Sequence, residues 1–162
     1  MTDYFHMLAR YNTVANQRIY EACAQLEEIE YRKQRAGSFG SIHALLNHVL
    51  LSDQIWRSRF EGGGYATPPL DTVLHSDFAA LRSARAEEDA RLERFFAQLG
   101  PAFFARSFRY RNSKGKDCVE SAPVALAHFF NHQTHHRGQI HVMLSQTPAP
   151  PPSLDLHRII NP

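Results

Sequence analysis

The segment that follows Ser121 constrains the fold most strongly, because its apolar residues recur at the spacing of an α-helix. The members of this stripe are spaced three or four apart: Ala125, Phe129, His132, His136, Ile140 and Met143. That spacing places them on one face of a helix that looks into a core. Pro123 is tolerated in the first turn, and we predict that the helix ends before Pro148. Any fold for this chain must therefore bury a helical stripe with two histidines at its centre.

Three earlier segments also have helical periodicity. We predict helices from Tyr4 to Leu26, from Ser38 or Ser41 (either could be the cap) to Phe60, and from Asp77 to Leu99. The polar stretch 27–40 predicts a loop, and glycines 62–64 with the prolines at 68 and 69 predict the end of the second helix. Four amphipathic helices bury their stripes best in a four-helix bundle. We therefore predict an all-α fold with a single domain over residues 1–162.

The periodicity changes between Ser107 and Glu120. Phe108 and Tyr110 alternate with arginines, and the stretch 112–115, Asn-Ser-Lys-Gly, has the composition of a turn. Alternation on either side of a turn is typical of two paired strands. We predict a short β-hairpin immediately before the fourth helix.

Composition excludes several classes of function. The net charge is +2 and no run of like charge is present, so nucleic-acid binding has no electrostatic support. No apolar run approaches the length of about 18 residues that a membrane-spanning helix needs. Cys23 and Cys118 match no Cys-x-x-Cys pattern, and the N-terminus lacks the pattern of a signal peptide. These features favour a cytoplasmic protein in a reducing compartment.

The histidines of the fourth helix have metal-ligand spacing. His132 and His136 are four residues apart, so their Cβ atoms lie about 6 Å apart and both rings can reach one ion. His135 is a competing partner for His132, but it lies off the apolar stripe. His128 lies one turn before His132, and the three residues 128, 132 and 136 span about 12 Å of helix axis, too far for one ion. A third ligand must then come from another segment.

His48 is the leading candidate for the third ligand, because it lies in mid-helix among apolar neighbours. The alternative is that each histidine is an ordinary buried residue with a hydrogen bond, which is the commoner situation for a single core histidine. Two adjacent neutral imidazoles are costly to bury unless something bridges them, which favours a metal for the 132/136 pair. Gln133 stands where zinc proteases of the His-Glu-x-x-His type have glutamate, so that class is disfavoured.

Other polar and aromatic residues have simpler interpretations. Asn12 lies on the apolar stripe of the first helix and predicts a buried hydrogen-bonding group. Trp56 predicts a core anchor. Arg85 and Glu88, three apart on the third helix, predict a solvated ion pair.

The run 128–140, His-Phe-Phe-Asn-His-Gln-Thr-His-His-Arg-Gly-Gln-Ile, resembles the helix-four signature of the DinB-like family (the DinB/YfiT superfamily). Asn47-His48, Tyr11-Asn12 and the ending 154–156, Leu-Asp-Leu, are also similar to that family. The resemblance implies an up-down-down-up four-helix bundle, a homodimer, and a metal held by His48, His132 and His136. Relatives include transferases that use low-molecular-weight thiols and a mycothiol-dependent isomerase. Val14 departs from the family pattern, which has tryptophan at this position. The departure affects the expected shape of the pocket wall and not the metal site.

Three histidines leave one to three coordination positions open, as in catalytic sites. Imidazole ligands suit Zn²⁺ or Ni²⁺, and Fe²⁺ is compatible. The leading hypothesis is a metal-dependent enzyme that transfers a small thiol to an electrophilic small-molecule substrate. A metal-dependent hydrolase is one alternative, and a non-enzymatic metal-binding bundle is another. The sequence identifies no catalytic acid or base besides the ligands.

Overall fold

Four long helices and one hairpin make up most of the structure, a computed structural model that describes residues 1–63 and 67–161. The long helices are α1 (Thr2–Cys23), α3 (Ile42–Phe60), α4 (Phe78–Ala97) and α5 (Ala122–Leu144). The shorter elements are α2 (Glu28–Arg32), a 3₁₀ turn (Pro101–Ala105), β1 (Ser107–Arg111), β2 (Asp117–Ser121) and α6 (Leu156–Ile160). The mostly helical architecture predicted from the sequence is confirmed.

Two of the long helices, α3 and α4, begin at residues whose side chains cap them. The Ser41 hydroxyl accepts a hydrogen bond from the Ala44 amide at 3.1 Å, so Ser41 is the cap of α3 and Ser38 is not. The Asp77 carboxylate accepts from the Ala80 amide at 2.7 Å and caps α4. These side chains satisfy amide groups that the first turn of a helix leaves unpaired.

Part of the predicted loop 27–40 is helical, so that prediction is wrong over the five residues of α2. Tyr31 explains the helix, because its side chain is 2% exposed and packs edge-on against His43 and Phe78. This polar segment has a single aromatic anchor and therefore no helical periodicity in its sequence. The contacts of Tyr31 with the rest of the protein stabilise the helix. Gly64, the last of the three glycines predicted to end α3, lies outside the described residues.

The predicted hairpin is confirmed. β1 and β2 pair antiparallel, with Tyr110 opposite Cys118. The Asn112 side-chain oxygen accepts from the amides of Lys114 and Lys116, both at 3.0 Å, and thereby stabilises the turn. Gly115 in this turn has a φ of 74°, which favours glycine.

The buried side chains form two apolar clusters. One contains residues near the end of α1 and α5 and the start of α3 and α4, such as Ile19, Leu45, Leu81 and Ile140. The other contains residues from the opposite part of each helix: Phe5, Phe60, Phe96 and Phe129. Between these stretches every long helix contributes buried polar residues, which make up a polar layer in the middle of the bundle.

The prediction of a solvated Arg85–Glu88 pair is wrong. Arg85 is 3% exposed and Glu88 is fully buried. Arg85 forms salt bridges with Asp53 on α3 at 2.6 Å and with Asp89 at 2.9 Å, whereas Glu88 accepts from Arg57 at 2.6 Å. Both side chains point into the bundle, where carboxylates and guanidinium groups from two helices neutralise one another.

Two other interpretations are confirmed. Asn12 is buried and accepts a hydrogen bond from Arg137. Trp56 packs in the second apolar cluster. None of the helices in the described ranges is long and apolar enough to cross a membrane.

Candidate metal centre

The three predicted histidines converge in the polar layer between α3 and α5. His48 lies in the first half of α3, and His132 and His136 lie one turn apart on α5. A hydrogen bond from the Gln133 amide to the Asp53 carboxylate joins the two helices at this level. Helix packing therefore brings the α3 imidazole to the two imidazoles of α5.

The ring nitrogens face one another at metal-ligand separations. The Nε2 atom of His132 lies 3.1 Å from Nε2 of His136 and 3.4 Å from Nε2 of His48. One ring nitrogen from each histidine lies within 4.8 Å of both others. A tetrahedral ion with metal–nitrogen distances of about 2.0–2.1 Å separates neighbouring nitrogen ligands by about 3.3 Å. The cluster could hold a metal ion with little movement.

The outer nitrogens fix which inner nitrogens carry lone pairs. Nδ1 of His48 lies 2.8 Å from the Leu70 carbonyl oxygen, and Nδ1 of His136 lies 2.8 Å from the side-chain oxygen of Gln139. Both oxygens can only accept, so each Nδ1 donates its proton and each Nε2 keeps a lone pair. His132 Nε2 can donate to at most one of them. The Ser52 hydroxyl lies 3.5 Å from Nε2 of His48, at the long limit of a hydrogen bond. One cation would satisfy the inward lone pairs together.

The electrostatics keep the three rings neutral. Burial lowers the pKa of His132 to about 3, with further lowering by the neighbouring histidines. Burial likewise lowers the pKa of His136 to about 4, and it lowers the pKa of His48. Neutral imidazole is the form that binds metal, so the protein need not lose protons from these rings near neutral pH.

Phe39 covers one face of the cluster. Its ring stacks on His48 with 3.9 Å between centroids and meets His136 edge-on at 6.0 Å. Its φ of 65° is uncommon for a residue with a Cβ atom. The Arg35 amide donates to the Gly40 carbonyl at 2.6 Å and closes the loop around Phe39. The loop thus holds an aromatic ring against two of the three histidines.

A cavity of about 250 Å³ opens on the other side of the cluster. His48 and His132 line it, together with Ser52. Trp56 lines it as well, so this residue serves both the core and the cavity. Any coordination position that the three histidines leave open can face this space.

His128 and His135 do not join the cluster. The His128 ring lies 5.9 Å from the His132 ring and 5.1 Å from Trp56, in the cavity wall. His135 is exposed and contacts Gln139 through its Nε2 atom at 3.3 Å. Among the described residues, the group of His, Cys, Asp and Glu side chains that could hold a metal consists of His48, His132 and His136.

The sequence did not predict the groups that orient the three histidines. Gln139 could have been found, because it lies three residues after His136 on the same helix and such pairs are neighbours. Leu70 contributes only its backbone carbonyl, which no side-chain pattern reports. Phe39 lies in a loop between glycines and had no periodic signal.

Comparison with known proteins shows what the chain is similar to. The sequence model of the DinB family matches residues 1–162. Protein DinB of Bacillus subtilis (strain 168) is 28% identical over 155 residues, which cover 90% of this chain and 87% of that protein. The match therefore spans all three histidines and both helices that carry them.

Proposed function

This chain belongs to the DinB family, and on that premise we propose that it is a metal-dependent enzyme that transfers a small thiol to an electrophilic substrate. The observation that carries the proposal is the convergence of three Nε2 atoms, two of which have their lone pairs directed inward by Leu70 and Gln139. His48, His132 and His136 are the proposed ligands of one divalent ion, Zn²⁺, Ni²⁺ or Fe²⁺.

A bound ion would supply Lewis acidity, which favours the thiolate form of a thiol near neutral pH. The chain's own residues do the rest. Gln139 and the Leu70 carbonyl hold the ligand rings in place. Phe39 covers the His48 face, and the cavity beside His132 offers room for a small molecule. Its apolar wall, which includes Ile55 and Trp56, limits the water around the reacting groups.

The ligand assignment can be tested by metal content. His48→Ala, His132→Ala and His136→Ala should each lose stoichiometric metal in protein purified without added metal or a histidine tag. His135→Ala is the matched control on α5 and should retain it. Elemental analysis measures both outcomes. Full metal content in His48→Ala would contradict a site shared by two helices and would favour one local to α5.

The chemistry can be tested with cobalt-substituted protein. A small thiol such as glutathione or cysteine should produce a saturable near-ultraviolet band from cobalt–thiolate bonding, and His48→Ala should produce none. Transfer is then measured as loss of free thiol in the presence of an electrophile. If no thiol perturbs the spectrum at millimolar concentration, thiol transfer is wrong, and hydrolysis or a non-catalytic metal centre takes its place.

The proposal includes a single domain over residues 1–162 with up-down-down-up connectivity. The membership of the two apolar clusters supports this order, since α1 and α5 run from the cluster of Phe5 to that of Ile19, and α3 and α4 run the other way.

The proposal also includes a cytoplasmic homodimer, which is supported by the family resemblance. Sedimentation equilibrium at micromolar concentration tests the dimer, and a mass of 18.5 kDa would contradict it.

A further inference from the structure

Arg59 differs from the other partly buried arginine of its helix. Two residues earlier on α3, Arg57 forms salt bridges with Glu88 at 2.6 Å and with Glu61 at 2.7 Å. Arg59 is also partly buried, yet within residues 1–63 and 67–161 no carboxylate forms a salt bridge with it. Burial lowers its pKa, but a guanidinium remains charged throughout the physiological range. In the part of the chain that the structure describes, Arg59 is therefore a half-buried cation without a carboxylate partner.

Two aromatic rings fix the position of this cation. The guanidinium carbon lies 4.0 Å from the centre of the Tyr110 ring and 4.7 Å from that of Trp56. Both distances are within the range of cation–π contact. A ring against the planar face of a guanidinium leaves the N–H groups at its edge able to donate two parallel hydrogen bonds. Such an edge matches the two oxygens of a carboxylate.

Arg59 shares a cavity with the candidate metal centre. His48, His132, Trp56 and Tyr110 line the same space of about 250 Å³, which suits a small molecule. Glu120 lines a neighbouring cavity that shares Trp56 and Tyr110, and it forms no salt bridge with Arg59. A molecule that reaches the histidines therefore lies beside a positioned cation that has no internal partner.

We propose that Arg59 binds the carboxylate of the molecule that occupies this cavity, so that the enzyme acts on a carboxylic acid. The inference rests on the proposed function for the role of the metal, because it places the reacting sulfur at the histidines and the carboxylate at Arg59. One guanidinium fork satisfies one carboxylate, whereas a phosphate group usually recruits several cations or a row of backbone amides. The carboxylate belongs either to the thiol or to its acceptor, and the ligand series below separates these sources.

Trp56 provides the measurement, because it is the single tryptophan of the chain and it contacts Arg59. Metal-loaded protein is titrated with butyrate and hexanoate and with the corresponding amides, which have the same shape without the charge. A second series uses 3-mercaptopropionate and 6-mercaptohexanoate with their amides. The proteins are the wild type, Arg59→Gln, Arg59→Lys and Arg109→Gln. Arg109 is an exposed arginine of β1, so Arg109→Gln is a control that removes the same charge outside the cavity.

The expected result is that acids quench Trp56 fluorescence at concentrations at least tenfold lower than their amides. Arg59→Gln should abolish this preference with unchanged metal content and urea midpoint, Arg59→Lys should keep part of it, and Arg109→Gln should keep all of it. A preference confined to the mercapto acids assigns the carboxylate to the thiol, and one shared by plain acids assigns it to the acceptor.

Three results would overturn the inference. Equal binding of acid and amide would show that the cavity ignores charge, and the absence of any quenching at 10 mM would show that it takes neither. A preference that persists in Arg59→Gln would place the carboxylate on the metal. Failure of the proposed function is recognised separately, because cobalt-substituted protein would then ignore every thiol while the Trp56 signal still reported the acids.

Discussion

The middle layer of the bundle contains two polar clusters that differ in how their atoms are satisfied. In the ionic cluster, Asp53 and Asp89 pair with Arg85, and Asn16 donates to Asp89 at 2.9 Å. Arg137 continues it by donating to Asn12, Asn16 and Gln133. Most of its polar groups have partners inside the protein. In the histidine cluster the outer nitrogens of His48 and His136 have such partners, but the inner nitrogens face one another.

From this difference we expect the ionic cluster to support the fold and the histidine cluster to bind a ligand. A buried charge network with internal partners fixes the register of the helices that supply it. A set of inward lone pairs is unfavourable by itself, and a bound cation would relieve it. Gln133 belongs to the ionic cluster and is next to His132, so the network positions the histidine helix without contributing a ligand.

The largest effect should follow removal of the central cation. Arg85→Met leaves Asp53 and Asp89 buried without their guanidinium, which should lower the free energy of unfolding by about 3–5 kcal/mol. Urea denaturation measures it. The control is Arg82→Met, one turn earlier and exposed, which should change stability by no more than about 0.5 kcal/mol. A small effect of Arg85→Met would mean that the ionic cluster does not hold the bundle together.

The next effect should appear in metal affinity and not in the fold. Gln139→Leu removes the oxygen that orients His136, so the ring can rotate or exchange its proton between nitrogens. Loss of such a partner typically costs about 10- to 100-fold in affinity. Gln139→Glu keeps an acceptor at the same place and is the matched control. Competition with a chromophoric chelator measures both variants, and equal affinities in wild type and Gln139→Leu would remove Gln139 from the centre.

The ionic cluster should also have its own pH dependence. Burial raises the pKa of Asp53 to about 7 and that of Asp89 to about 6, although the Arg85 cation lowers both values. A carboxyl group whose folded-state pKa is raised stabilises the native state at low pH, and this contribution is lost as pH rises through the folded pKa. Histidines with a lowered pKa make the stability rise with pH, which is the opposite effect. A variant is therefore needed to separate the contribution of the carboxyl groups from that of the histidines.

Asp53→Asn provides that separation, since asparagine does not titrate. In chelator-treated protein, the free energy of unfolding of the wild type relative to Asp53→Asn should fall by about 1 kcal/mol between pH 5 and pH 8. The change is smaller than for an isolated carboxyl group, because the proton is shared within the coupled pair. Urea denaturation at several pH values measures it. A relative stability that stays constant across this range would show that Asp53 is ionised in the folded protein throughout it.

The two clusters also differ in how far the sequence predicts them. Helical spacing identified His132 and His136, because a ligand pair on one helix leaves a local pattern. His48 followed from its apolar surroundings. The prediction of a solvated Arg85–Glu88 pair was wrong, since Asp53 and Arg57 lie on another helix and a spacing of three also fits an exposed pair. The fold was predictable where periodicity is local. The ionic cluster was not, because the contacts that join α3 to α4 connect residues more than thirty positions apart.

The smallest effect concerns the histidine that lies beside the proposed centre without entering it. His135→Ala removes a ring that stacks edge-on against His136 at 4.9 Å and contacts Gln139. Its side chain is exposed, and neither ring nitrogen belongs to the convergent set. Metal content should stay stoichiometric, affinity should change less than about threefold, and stability should change by no more than about 0.5 kcal/mol. The same chelator competition used for Gln139→Leu gives the comparison. If His135→Ala lost the metal while His136→Ala retained it, the pair on α5 would be spaced by three residues and not four, and the orienting role of Gln139 would have to pass from His136 to His135.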